Sequence, residues 1–172
     1  MPGYVIHLAV AEEYLRKHKN KGEEYEEFIK GVIYPDSIVP KSKTHYGKES
    51  SLSNVFEFLK VNKINNSFNR GYFLHLLTDY LFYNRYIDHT SKDIYNDYDI
   101  LNKRLIEKYN VKITKNIAKH ASFKSGDLVI ITEDLIDKLI RDISEMDIDE
   151  ISIEVMKNPK EWTKMRELKR LD

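Results

Sequence analysis

The chain has 172 residues, with Lys+Arg and Asp+Glu balanced at 28 each and no Cys. This length suits one domain with a sizeable core. The charge balance gives no global positive field for nucleic acid, and the lack of thiols excludes a disulfide framework or a thiolate metal site. Six Gly and four Pro are few for the length and point to helices joined by short loops. No run of about 18 apolar residues is present, so no membrane span is expected. Met1-Pro2-Gly3-Tyr4 lacks a basic leader and a long apolar stretch, so no signal peptide is expected and cytoplasmic localisation is the default.

Residues 5 to 18 carry an apolar stripe of Ile6, Val10 and Leu15 opposite Glu12, Glu13, Arg16 and Lys17, the pattern of an amphipathic helix. A second helix is expected from Glu23 to about Ile33, ending before Pro35 because a residue preceding Pro avoids helical dihedrals. Tyr34 to Gly47 reads as loop. Ser51 or Ser53 is a candidate cap for a helix through about Val61. Ser67 to about Asp88 is the most apolar segment and the expected central helix. Thr90 and Asp93 have capping-box spacing for a helix to Tyr109, and residues 111 to 119 form a short helix. Val129-Ile130-Ile131 has strand composition but no partner strand. Thr132, followed by Glu133 and Asp134, starts a helix towards Ile143. Asp149 to Met156 and a turn opened by Asn158-Pro159 follow, with Trp162, Met165 and Leu168 turned inward. The expected fold is an all-α single domain over residues 1–172. The basic stretch 102–120 and the acidic stretch 133–154 are expected to be solvated helix faces.

The chemistry concentrates in Gly71-Tyr72-Phe73-Leu74-His75-Leu76-Leu77-Thr78-Asp79. Residues four apart on a helix share a face, with Cβ atoms about 5–6 Å apart. His75 and Asp79 can therefore converge on one ion, and zinc takes such donors at about 2.0–2.2 Å. A bare carboxylate in so apolar a segment would be costly. Other potential ligands lie upstream: His7 in the first helix, Asp36 after Pro35, and His45 in Lys41-Ser42-Lys43-Thr44-His45. Taken singly, each also has an ordinary structural role open to it, such as a core His, a turn former or a loop His.

In this order the residues resemble the prokaryotic zinc-dependent phospholipase C family, an all-helical fold shared with zinc-dependent single-strand nucleases. Met1-Pro2 with His7, Pro35-Asp36, Thr44-His45 and Gly71 to Asp79 carry the resemblance, which covers about the first 90 residues. It implies that His7, Asp36, His45, His75 and Asp79 are metal ligands. Asp36, His45, His75 and Asp79 would hold one ion; Asp79 would bridge to a second, completed by His7 and the amino terminus. One to three zinc ions, or other divalent metals, are implied as cofactors. The activity implied is hydrolysis of a phosphoester, phosphodiesterase or phospholipase C-like, on a small phosphoester or a phospholipid headgroup. Asp36 is the first candidate for the base, and Lys41 and Lys43 are candidates for contact with phosphate oxygens. The chain departs from the family in opening on an initiator Met, and in having Tyr83, Asn84 and Arg85 where a further His ligand is expected. Asp88, His89, Asp93 and His120 are candidate substitutes. Two other readings stay open: a helical binding module stabilised by metal but without catalysis, and a metal-free protein in which His75 and Asp79 form a buried hydrogen-bonded pair.

Overall fold

The computed structural model describes residues 3–172. Among the described residues, ten α-helices run in the order α1 (Tyr4–Lys17), α2 (Tyr25–Ser37), α3 (Ser42–His45), α4 (Val55–Val61), α5 (Ser67–Leu81), α6 (Asp93–Tyr109), α7 (Lys115–Ala118), α8 (Glu133–Glu145), α9 (Ile148–Lys157) and α10 (Pro159–Trp162). The fold is all-α, relieved only by a two-residue parallel pairing of β1 (His89–Thr90) with β2 (Lys169–Arg170).

Helix α5 is the axis, and every residue from Arg70 to Leu81 is buried. It packs most intimately on α2, and two glycines explain how. A Cβ on Gly31 would sit 1.9 Å from the Phe68 carbonyl oxygen, and one on Gly71 would sit 2.0 Å from the Phe28 carbonyl oxygen. Each helix thus lays its backbone against the glycine of the other, a separation that no side chain permits. The remaining helices close around this pair. α1 buries Val5, Ile6, Leu8, Ala9 and Val10, and α8 turns Ile136, Leu139, Ile140 and Ile143 inward.

Several boundaries differ from the sequence expectation. α2 does not end before Pro35 but runs to Ser37 with Pro35 inside its last turn. Tertiary contact overrides the local preference: Pro35 is buried, and its carbonyl accepts a 2.7 Å bond from Thr44 Oγ1. Part of the expected loop 34–47 is the helical turn α3. Asn54, not Ser51 or Ser53, caps α4, accepting from the Glu57 amide at 3.0 Å. The central helix leaves α geometry at Leu81 and continues to Tyr86 as a wider π turn, with the Ile87 amide reaching back to the Phe82 carbonyl at 3.1 Å. Thr90 belongs to β1, so no Thr90–Asp93 capping box forms; the Asp93 amide is met instead by Ser91 Oγ at 3.0 Å. Thr132 caps α8, and Pro159 opens α10.

The charged stretches are only partly solvated. α6 and α8 face one another, with Arg104, Lys108 and Tyr109 all converging on Asp137. Residues 129 to 131 form no strand. Their three amides all donate to the Asp97 carboxylate, at 2.9, 2.7 and 3.0 Å. No helix among the described residues is long and apolar enough to cross a membrane.

Candidate metal centre

The structure brings all five proposed ligands together. Helix α1 contributes His7, the last turn of α2 contributes Asp36, α3 contributes His45, and α5 contributes His75 and Asp79. The extra turn of α2 beyond Pro35 and the glycine contact between α2 and α5 set Asp36 opposite the His75–Asp79 face. Asp36 is 6 % exposed and the other four 3 % or less. Met1 and Pro2, where the resemblance puts a ligating amino terminus, lie outside the described residues.

Three imidazoles surround two carboxylates. His45 Nε2 lies 3.4 Å from Asp36 Oδ1 and 3.1 Å from Asp79 Oδ2. His75 Nε2 lies 3.6 Å from Asp36 Oδ1 and 3.3 Å from Asp79 Oδ2. Donors on a tetrahedral ion at about 2.0–2.1 Å are about 3.3 Å apart, and these four His–Asp separations are close to that. Two trios have donor atoms within 4.8 Å of one another, Asp36 with His45 and His75, and His7 with His75 and Asp79. On the other side of Asp79, Oδ1 lies 3.0 Å from His7 Nε2. The Asp79 carboxylate therefore presents one oxygen to His45 and His75 and the other to His7. The rings of His7 and His75 stack with centroids 3.6 Å apart.

Hydrogen bonds outside the cluster fix the direction of two of the three imidazoles. His75 Nδ1 is 2.7 Å from the Val32 carbonyl, and His45 Nδ1 is 3.1 Å from the Lys41 carbonyl. A carbonyl only accepts, so each Nδ1 carries a proton, and a neutral ring with that tautomer turns its Nε2 lone pair inward. This is the arrangement that orients metal-ligating imidazoles. Among the described residues, none of the three Nε2 atoms has a hydrogen-bond partner, nor do Asp36 Oδ2 and Asp79 Oδ1. Acceptors facing acceptors in a buried site are stable only around a proton or a cation. These residues fit a divalent metal on that ground.

The charges agree. Lys41 Nζ lies 2.8 Å from Asp36 Oδ1, one positive charge against two buried carboxylates. Burial opposes ionisation of Asp36 and Asp79, but neighbouring imidazoles outweigh it: His75 and His45 for Asp36, His7 and His75 for Asp79. Both carboxyls are held below the usual carboxylate range. Burial, reinforced by His75, lowers the pKa of His7. For His45 burial also opposes the charge, but Asp36 and Asp79 prevail and push it up to about 9. Without metal, a proton on His45 is thus the competing occupant of the cluster.

The candidate substitutes for the missing downstream ligand do not join the cluster. Asp88 and His89 pair with each other at 2.6 Å on the surface, Asp93 is engaged with Ser91, and His120 stacks on Tyr4 at 4.7 Å. Asn84 donates to the Tyr80 carbonyl, and Arg85 lies over Trp162. Lys41 neutralises Asp36 rather than standing free for phosphate, and Lys43 is exposed.

Sequence reasoning missed two parts. Ser53 is buried, its Oγ donating to the Ser50 carbonyl at 2.9 Å and lying 3.5 Å from Asp79 Oδ2. Tyr98 on α6 is 4 % exposed, and its hydroxyl has no partner among the described residues. Burial, then the charge of Asp79, raises its pKa. A Tyr inside an amphipathic helix carries no sequence signal that separates this position from ordinary core. No protein-family model, curated protein or solved structure matches this chain.

Proposed function

We propose that the chain is a divalent-metal-dependent phosphoester hydrolase, with zinc as the first candidate ion. The observation that carries this reading is the divided Asp79 carboxylate, one oxygen against His45 and His75 and the other against His7. Such a bridge is suited to two neighbouring cations, the arrangement used for in-line displacement at phosphorus. The order of the five residues, which resembles the zinc-dependent phospholipase C family, supports the same reading.

In this proposal Asp36, His45, His75 and Asp79 hold one ion, and His7 with Asp79 contributes to a second. When bound, such an ion supplies Lewis acidity, polarising a phosphoryl oxygen and lowering the pKa of water. The residues of the chain hold the rest in place. The Val32 and Lys41 carbonyls fix the tautomers of His75 and His45, and Lys41 offsets one carboxylate charge. Asp36 Oδ2, buried and unpartnered, takes the proton of the attacking water as its oxygen forms the new bond to phosphorus and the bond to the leaving oxygen breaks.

The test is hydrolysis of methyl p-nitrophenyl phosphate with zinc, manganese or nickel supplied. His75→Ala and Asp79→Ala are each expected to remove turnover, a loss of several kcal/mol of transition-state stabilisation, while circular dichroism stays helical. Wild-type protein with no turnover on any phosphoester overturns the proposal. One observation favours a second reading: all five ligands are closed off from solvent, as in a structural site with a complete shell. On that reading the chain is a metal-stabilised binding module, and metal changes its melting temperature without turnover.

A further inference from the structure

Beside the centre lies an open cleft of about 1020 Å³. Its lining meets the centre at two points. Lys41 lines the cleft and bonds Asp36; Ser50 lines it and, through its carbonyl, holds the Ser53 hydroxyl that adjoins Asp79. Five cationic side chains line it, Lys41, Lys92, Arg166, Lys169 and Arg170, against the two carboxylates of Glu49 and Glu167. Lys41 is committed to Asp36, and Arg170 lies 3.9 Å from Asp172. Among the described residues, no carboxylate pairs with the head groups of Lys92, Arg166 or Lys169.

This basic wall is anchored in place. The C-terminal segment crosses back over the molecule and is pinned by its backbone: Arg166 N donates to Asn84 Oδ1 at 2.6 Å, Lys169 N to the Asp88 carbonyl at 3.2 Å, and Leu171 N to the Thr90 carbonyl at 3.0 Å. Asp172 Oδ2 accepts from the Lys92 amide at 2.8 Å, joining both sides of the wall. The backbone is held by these bonds, so the cationic side chains are left to face the cleft. Three unpaired cations in a concave site attract an anion with more than one charged group. Tyr83 and Tyr95 also line the cleft, but the three cations repel the quaternary ammonium of a choline headgroup.

We propose that this cleft binds a soluble phosphoester bearing a second phosphate group, with Lys92, Arg166 and Lys169 holding the phosphate that is not cleaved. The proposal rests on the reading of the adjoining centre as phosphoester-processing, and it names the substrate class of that centre. Such contacts act on affinity at the rim of the site, so the expected effect is modest for each and additive over three.

The test compares the binding of adenosine 3′,5′-bisphosphate, adenosine 5′-monophosphate and phosphocholine by calorimetry, on metal-supplied wild-type protein and on the triple variant Lys92→Ser/Arg166→Ser/Lys169→Ser. Exposed ion pairs of this kind sum to about a tenfold preference for the bisphosphate over the monophosphate in the wild type. That preference is expected to disappear in the triple variant and to weaken with added salt. Equal affinity for the two nucleotides, a preference that survives in the triple variant, or phosphocholine binding as tightly as the bisphosphate overturns the proposal. Wild-type turnover of methyl p-nitrophenyl phosphate, which has one phosphate, is read separately. Bisphosphate preference without any turnover overturns the hydrolase reading and leaves the cleft assignment standing; turnover without preference does the reverse.

Discussion

Asp97 and Asp79 are both 0 % exposed aspartates on core helices, and their surroundings differ completely. Asp97 is surrounded by donors: three consecutive amides, Val129 to Ile131, close on its two oxygens within 3.0 Å. Asp79 faces imidazoles: the Nε2 atoms of His7, His45 and His75 stand 3.0 to 3.3 Å away, with the Ser53 hydroxyl at 3.5 Å. The first carboxylate is complete within the fold and organises a loop. The second lies among imidazoles and, in the proposed reading, is completed by a cation. Burial alone does not mark a functional carboxylate; the polarity of what faces it does.

The comparison can be broken most severely through the helix contact that builds only one of the two sites. Gly71→Ala puts a methyl group onto the Phe28 carbonyl and must drive α2 from α5, carrying Asp36 away from Asp79. The expected cost is about 3–5 kcal/mol, read by urea unfolding, together with loss of metal retention. A variant as stable as the wild type would show that the two backbones are not in contact.

Asp97→Ala strands three amides, two of them buried, and is expected to cost about 3 kcal/mol, equally with and without chelator, because no metal is involved. Chelation of the wild type should cost about 3 kcal/mol if the supplied ion stood at a hundred times its dissociation constant, and Asp79→Asn should be insensitive to it. Calorimetric melting of the three proteins with and without metal checks both. A chelator response in Asp79→Asn equal to that of the wild type would separate the metal from this cluster.

The smallest effect comes from a third kind of aspartate, partly exposed and paired. Asp149 binds Arg70 and Lys21, and the Arg70 hydrogen bond leads in lowering its pKa to about 2. Its folded pKa lies below the ordinary unfolded value of about 3.9, so its contribution is present above pH 4 and lost as pH falls through 2. With the side chain 41 % exposed, screening leaves about 0.5–1 kcal/mol. The stability curves of wild type and Asp149→Asn should therefore differ at pH 6 and converge near pH 2; a constant offset would contradict the assignment.

The parts of this molecule legible in the sequence are those set by local pattern. The apolar run around His75 gives the central helix, Thr132 and Pro159 announce their helix starts, and the four-residue spacing puts His75 and Asp79 on one face. What was not legible depends on distant partners. Pro35 stays helical, buried with its carbonyl held by Thr44; residues 129 to 131 are claimed by Asp97 rather than by a strand, and Lys41 is drawn to Asp36. The ordering of His7, Asp36, His45, His75 and Asp79 pointed to one site, but nothing local told which imidazole nitrogen would face inward. The Val32 and Lys41 carbonyls decide that. The basic wall of the cleft comes from the C-terminal segment, whose return to β1 has no signature in its two-residue strands.

The most direct measurement is the metal content of the purified protein after incubation with zinc and exhaustive dialysis, by mass spectrometry, for wild type, Asp79→Asn and Asp97→Asn. The account predicts at least one ion per chain in the wild type and in folded Asp97→Asn, and its loss in Asp79→Asn. A wild-type protein that keeps no ion while remaining folded would contradict it and leave the cluster held by a proton on His45.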